Sequence, residues 1–338
     1  MTAALEVNGL EVAYRAGRGF VPVVRGVDLT LARGKVLALL GESGSGKSVT
    51  LRSMVGLTAR EGARVAGSVR VLGQDVPGMT ARQQLDLRGS QVGFVFQEPM
   101  TALDPVFRVG DQIAEVLVRH RGATWAEGLA RARALFDLVQ IPAAAQRLRA
   151  YPSELSGGLR QRAMIAIALA CEPPLLLADE PTTALDATVQ IQVLLLLRDL
   201  QKQLGTAVVF VTHDLGVAAE IADEVAVMYA GRIVERGSAE QVLLAPAHPY
   251  TRALLGCVVR GGYAEAPLVE LAGSPPDLAR LPPGCSFAPR CGSAFGPCGV
   301  TEPAEVARPS GHRARCHLPL PLDDRGDGHA GAETTEAR

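Results

Sequence analysis

The run Gly41-Glu42-Ser43-Gly44-Ser45-Gly46-Lys47-Ser48 fits the phosphate-loop pattern in full, lying between the apolar stretch 36–40 and a helix-like stretch, 48–56. Glycines free backbone N–H groups to wrap phosphates. Lys47 is placed to reach the β and γ oxygens and Ser48 to ligate Mg²⁺, with Val49 continuing the helix start. In Leu175-Leu176-Leu177-Ala178-Asp179-Glu180 an apolar strand ends in two acids. Asp179 is expected to hold Mg²⁺, directly or through water, and Glu180 to orient and deprotonate the attacking water. Shortly before this strand stands Leu155-Ser156-Gly157-Gly158. Paired glycines let backbone N–H groups approach an anion closely, Ser156 adds a hydroxyl, and the helix that follows points its N-terminus at that anion.

Further polar residues close predicted strands. Gln97 follows the strand-like run 92–96, within reach of Mg²⁺ or the lytic water. His213 closes 208–212, where its imidazole can hydrogen-bond a γ-phosphate. Asp186 follows the acidic strand, and Tyr14 in an early strand can stack on a base. Taken singly, each has an ordinary reading: a surface glutamine, a structural histidine, a helix cap, a packing tyrosine.

These residues need a scaffold. Alternation over residues 5–7, 11–14 and 27–29 reads as strands, and residues 36–40, 175–178 and 207–211 read as buried strands of a parallel sheet. Residues 110–172 look mainly helical, and 187–203 form a helix between two strands. This strand–helix alternation predicts an α/β core with an inserted helical block. At 338 residues the chain can bury a large core and hold more than one domain. Its net charge of −1 gives no general reason to expect nucleic acid. Only Lys35, Lys47 and Lys202 are lysines, so the arginine excess reads as a coding bias. No stretch approaches the roughly 20 apolar residues that span a bilayer. The chain starts without a signal-peptide pattern, so a soluble cytosolic protein is expected, with any membrane role through partners.

Together the motifs, in their order, resemble the ATPase subunits of ABC transporters over about residues 5–258. The resemblance implies a P-loop ABC ATPase core, with a RecA-like parallel sheet, an antiparallel β subdomain and a helical subdomain at about 98–172. It implies a stacking aromatic at Tyr14, a Q-loop at Gln97, a signature at 155–159, a D-loop at 184–186 and a switch histidine at His213. It also implies head-to-tail sandwiching of ATP, each phosphate loop facing the partner's signature. Leu159 departs from the pattern, since many members carry glutamine there and its amide can bond across the dimer. A soluble ABC ATPase acting on DNA or ribosomes is the rival class, but such chains carry a second cassette or a coiled-coil insert. GTPase and RecA-type readings give Leu155 to Gly158 no role.

A narrower similarity rests on Leu155-Ser156-Gly157-Gly158-Leu159-Arg160-Gln161-Arg162 and Asp179-Glu180-Pro181-Thr182-Thr183-Ala184-Leu185-Asp186. His248-Pro249-Tyr250-Thr251-Arg252-Ala253-Leu254-Leu255 and Gly284-Cys285-Ser286-Phe287-Ala288-Pro289-Arg290-Cys291 extend it. These resemble the oligopeptide/dipeptide importer ATPases, in particular the first of their two paired subunits. The implied partners are a second, homologous ATPase subunit, two membrane permeases and an extracytoplasmic solute-binding protein, with no nucleic acid. The implied location is the cytoplasmic face of the cell membrane, and the residues after Gln97, 99–105, are the expected permease contact. Peptide is the implied solute, with nickel and glutathione-like solutes open.

Composition shifts near residue 258. Residues 259–321 are rich in Pro, Gly and Cys, and 322–338 read as a disordered tail. Cys285, Cys291, Cys298 and Cys316 crowd into a segment without helical or strand periodicity, which needs a staple or a metal if it is ordered. Four thiolates suit tetrahedral zinc or an iron–sulfur cluster. The family resemblance implies [4Fe–4S]; Zn²⁺ is the alternative, with His312 and His317 as further candidate ligands. Cys171 and Cys257 read as core fillers.

Overall fold

A computed structural model describes residues 3–17, 19–60, 62–182, 187–257, 271 and 273–319. Two strands, β1 (Ala3–Ala16) and β2 (Gly19–Ala32), open the chain as a long antiparallel pair. Their alternation buries Leu5 and Val7, then slips at a bulge over Asn8 and Gly9 and resumes with Leu10 and Val12. The two strand-like runs in the sequence are therefore one strand, broken by a bulge. β3 (Val36–Leu40) follows, then α1 (Lys47–Ser53), α2 (Leu57–Arg60), β4 (Arg64–Val71), β5 (Gln74–Asp75), α3 (Ala81–Ser90) and β6 (Val92–Val95).

The inserted block holds α4 (Pro99–Ala102), α5 (Val109–Arg121), α6 (Trp125–Leu138), α7 (Ala144–Arg147) and α8 (Gly157–Leu169). Next come β7 (Leu175–Asp179), α9 (Ala187–Leu204), β8 (Ala207–Thr212), α10 (Leu215–Ile221), β9 (Glu224–Tyr229) and β10 (Arg232–Ser238). α11 (Ala239–Leu244), α12 (Pro249–Gly256), β11 (Glu305–Ala307) and β12 (Arg313–Arg315) complete the described elements.

Two sheets result. One is antiparallel, in the order β2-β1-β4-β5; the other runs β11-β12-β10-β9-β3-β8-β7-β6. In the second, β9, β3, β8, β7 and β6 pair in parallel, and β10, β12 and β11 add antiparallel strands at one side. The parallel strands are apolar apart from Asp179, Thr212 and Glu224 at strand ends, because both faces are covered. Leu175, Leu177 and Val209 face a core shared with the antiparallel sheet. Leu176, Ala178 and Phe210 face the helical block. α8 is buried on most sides, which is why its sequence shows no clear amphipathic stripe.

The described part of the Cys/Pro-rich segment is ordered by ordinary contacts. Phe287 packs against Tyr229 and Tyr250, with ring centroids 5.2 and 5.3 Å away. The fully buried Glu235 accepts hydrogen bonds from the Ala247 and His248 N–H groups at 2.6 and 2.9 Å and pairs with His312 Nε2 at 2.8 Å. Arg25 and Arg232 both pair with Glu302. His312 is thereby committed to Glu235, a correction to its reading as a candidate zinc ligand. Asp186 with the rest of 184–186, and the tail 322–338, lie outside the described residues.

Candidate ATP site and the C-terminal cysteine cavity

Four adjacent parallel strands each deliver a polar side chain at their C-terminal ends. β3 runs into the phosphate loop and Lys47, β8 into His213, β7 into Asp179 and Glu180, and β6 into the segment holding Gln97. A crevice outside the carboxyl ends of parallel strands is where α/β sheets bind ligands.

Gly46 caps α1 at φ 103°, and a Cβ there would lie 2.8 Å from the Val23 carbonyl oxygen and 2.9 Å from Met228 Cε. Only glycine fits that close approach and that backbone region. The buried Lys47 donates from Nζ to the Gly41 and Glu42 carbonyls at 2.8 and 3.0 Å. Burial lowers its pKa, an effect opposed by Glu180, Asp179 and Glu42. The Ser45 hydroxyl is buried with no hydrogen-bond partner, so the loop holds a spare donor. Ser43 and Gly44 are exposed at the loop's tip.

Ser48 Oγ donates to Asp179 Oδ1 at 2.8 Å. Asp179 is buried, which pushes its carboxyl pKa up against the lowering effect of Ser48. These oxygens suit a hard divalent cation, and Mg²⁺ would supply the positive charge that a buried carboxylate lacks. Glu180 lies at the centre of the cluster. Its Oε2 is 3.4 Å from Gln97 Nε2 and 3.3 Å from His213 Nδ1, and its Oε1 is 4.0 Å from Lys47 Nζ. Its backbone is left-handed, at φ 43°, and its N–H donates to the Val211 carbonyl at 3.1 Å, which locks the turn out of β7. The structure therefore brings together Lys47, Ser48, Gln97, Asp179, Glu180 and His213.

Tyr14 stands apart on β1, half-buried and packed against the core beneath the antiparallel sheet. Val49 packs on the same core from α1. Ser156 caps α8, its hydroxyl accepting from Leu159 N at 3.4 Å; Ser156 and Gly157 are exposed while Leu155 is buried. A Cβ on Gly158 would meet Val189 at 2.8 Å, so this glycine lets α8 approach α9. Leu159 packs against the helical core.

Two residues at the phosphate loop were not picked out as site residues from the sequence. Tyr250 Oη accepts from the Glu42 N–H at 2.9 Å, and Arg290 makes two bonds to the Glu42 carboxylate. The signal was present, because both lie inside the stretches 248–255 and 284–291 that carry the narrower family similarity.

The four cysteines Cys285, Cys291, Cys298 and Cys316 are free thiols lining one cavity of about 10 Å³, with His248 and His317. Cys285 N donates to the Cys298 carbonyl at 2.8 Å, and Gly284 is required beside it because a Cβ would lie 2.3 Å from that same oxygen. Burial raises the Cys285 and Cys316 pKa values, while backbone N–H groups of Phe287 and Ala288, and of Leu318, bond to the respective sulfurs. This donor set fits a thiolate-bound metal or cluster. The space between them has room for about one water. Among the described residues no three His, Cys, Asp or Glu side chains are arranged to hold one metal ion.

Residues 24–183 match the ABC transporter family, and residues 234–298 match the C-terminal region of oligopeptide/dipeptide transporters. The oligopeptide transport ATP-binding protein OppD of Salmonella typhimurium is 46% identical over 316 residues, covering 94% of each chain. The dipeptide transport ATP-binding protein DppD of Bacillus subtilis is 42% identical over 319 residues, covering 94% of this chain and 95% of its own. Among solved structures, a dimeric ATP-binding cassette in a post-hydrolysis state with ADP and Pi has a TM-score of 0.63 and 28% identity. It covers 70% of this chain and 98% of that one. The fold is thus that of an ATP-binding cassette, and the chain is an ATP-hydrolysing subunit of an ABC transporter. Within that class the chain belongs to the oligopeptide/dipeptide importer ATP-binding subunits.

Proposed function

We propose that this chain energises import of di- or oligopeptides, with nickel or glutathione-like solutes as the alternatives. Glu180 is the general base, held by Gln97 and His213, and the convergence of those two side chains on its carboxylate is the observation that carries the mechanism. Backbone N–H groups of the phosphate loop and Lys47 hold the β- and γ-phosphates, Ser48, Gln97 and Asp179 hold Mg²⁺, and Tyr14 stacks on the adenine. Held by these residues, Mg²⁺ would neutralise charge on the phosphates. Glu180 takes a proton from water as the water attacks the γ-phosphorus and the bond to the bridging oxygen breaks, ADP leaving with its electron pair, while His213 donates a hydrogen bond to the γ-phosphate. The exposed Ser156-Gly157 start of α8, with Leu155 anchoring it and Gly158 setting its packing, serves the ATP bound by a paired, homologous subunit, with Asp186 as the D-loop residue.

Coupling to two permeases runs through the segment after Gln97. Met100, Val106 and Phe107 are exposed there, which suits contact with an apolar partner. No helix among the described residues is long and apolar enough to cross a membrane, consistent with a peripheral place on the cytoplasmic face of the membrane. Solute reaches the permeases from an extracytoplasmic binding protein. The test is uptake of labelled di- and tripeptides in cells lacking this chain, with co-purification of permeases. Normal peptide uptake in such cells, or co-purification with nucleic acid instead, overturns the reading.

On the donor set alone, the four cysteines are proposed to hold a [4Fe–4S] cluster, with Zn²⁺ the alternative. Anaerobic purification with iron, sulfide and zinc assays is expected to return iron and sulfide. Zinc alone would reassign the site, and metal-free, normally folded protein would remove it.

A further inference from the structure

Glu42 occupies one of the freely varying positions of the phosphate loop, and its charge is at odds with its surroundings. A carboxylate inside a cradle for phosphates repels the anion the loop receives. Three partners hold this residue. Lys47 Nζ bonds its carbonyl at 3.0 Å, Tyr250 Oη receives its N–H at 2.9 Å, and Arg290 grips its carboxylate through Nη1–Oε2 at 2.7 Å and Nη2–Oε1 at 3.0 Å. Lys47 also serves the phosphates; the other two partners come from the C-terminal residues.

Arg290 is built into place. Its side chain is 6% exposed, against 23% for Glu42. Its Nη1 lies 3.5 Å from Tyr229 Oη, and its guanidinium sits 5.9 Å from the centre of that ring. The residue ends the 3₁₀ turn Ala288–Arg290, between Phe287 of the aromatic cluster and Cys291 of the thiol cavity. A paired fork of this kind fixes both charge and direction.

We propose that Arg290 is a positioning residue for ATP: it cancels the Glu42 charge and fixes the first turn of the phosphate loop, so nucleotide affinity depends on docking of the C-terminal segment. The two are then linked, and whatever loosens the segment weakens ATP binding by the same factor that ATP tightens it. The proposal rests on the phosphate loop being the ATP site.

The test titrates full-length chain, with Mg²⁺, against trinitrophenyl-ATP as fluorescent probe. Arg290→Met is expected to raise Kd by about tenfold. Glu42→Gln in that background is expected to restore most of the affinity, because the unpaired charge is gone, and Arg290→Lys is expected to fall between wild type and Arg290→Met. Melting and circular dichroism check the fold of each; if Arg290→Met does not fold, Arg290→Lys with and without Glu42→Gln gives the same comparison. Unchanged Kd in the arginine variants overturns the proposal, as does a defect that Glu42→Gln leaves untouched, which would make Arg290 a brace alone. A wild-type chain that fails to bind the probe overturns the nucleotide site itself.

Discussion

At the scale of single residues, Glu180 gathers the most consequence. Its left-handed backbone points the carboxylate back among Lys47, Gln97 and His213, none of them near it in sequence. A general base contributes roughly 10²–10⁴-fold, so Glu180→Gln is expected to cut phosphate release at least about 100-fold while nucleotide binding survives. Wild-type turnover in that variant would move the base elsewhere. Glu180 was legible in the sequence because an acidic pair ending an apolar strand has few uses beside a phosphate loop. The pairing of Glu42 with Arg290 was not, since an acid in a freely varying loop position carries no pattern and its partner lies 248 residues along the chain.

At the scale of elements, α12 shows how a short helix depends on a protonation state. His248 caps it, with Nδ1 accepting the Tyr250 N–H at 3.0 Å. That nitrogen must be unprotonated to accept. Burial is the main cause that lowers the His248 pKa, to about 4, against the raising effect of Glu235. Since the folded value lies below the ordinary 6.5, the stabilisation is complete above pH 6.5 and is lost as pH falls through about 4. The shift corresponds to roughly 3 kcal/mol. Urea midpoints measured between pH 7 and 4 should fall less steeply in His248→Asn, which keeps a cap without the titration; parallel curves would remove His248 from the acid response.

The parallel strands and the helical block were readable because strands buried on both faces are apolar throughout and the amphipathic α5 is periodic. β11 and β12 were not, because three-residue strands carry no usable period; β10 calls them into the sheet through pairing of Glu235 with Ala314 and Arg236 with Arg313. Tertiary contact decided them, not local preference.

At the scale of the whole molecule, one chain presents both halves of the proposed composite site without closing it on itself. The phosphate loop rests on β3 and the Ser156-Gly157 turn opens outward from the helical block. In a complex reconstituted with the paired subunit, Ser156→Arg is expected to leave MgATP affinity of this chain within about twofold and to reduce hydrolysis at the partner's loop by at least tenfold. The readout is turnover with the partner's general base intact and Glu180→Gln disabling this chain's own. Equal loss of binding and turnover would argue that the turn serves its own loop.

The pairing of β12 on β10 has a consequence for how the molecule comes into being. β12 is translated after β10, so a nascent chain that has already assembled β9 and β10 carries a bare β10 edge until Arg315 has left the ribosome. Such an edge invites pairing with a neighbouring chain. Arg290 is likewise translated after β10, so the nucleotide cradle and the sheet's border are finished together, and a message truncated before that point would yield an incomplete cassette with an adhesive flank.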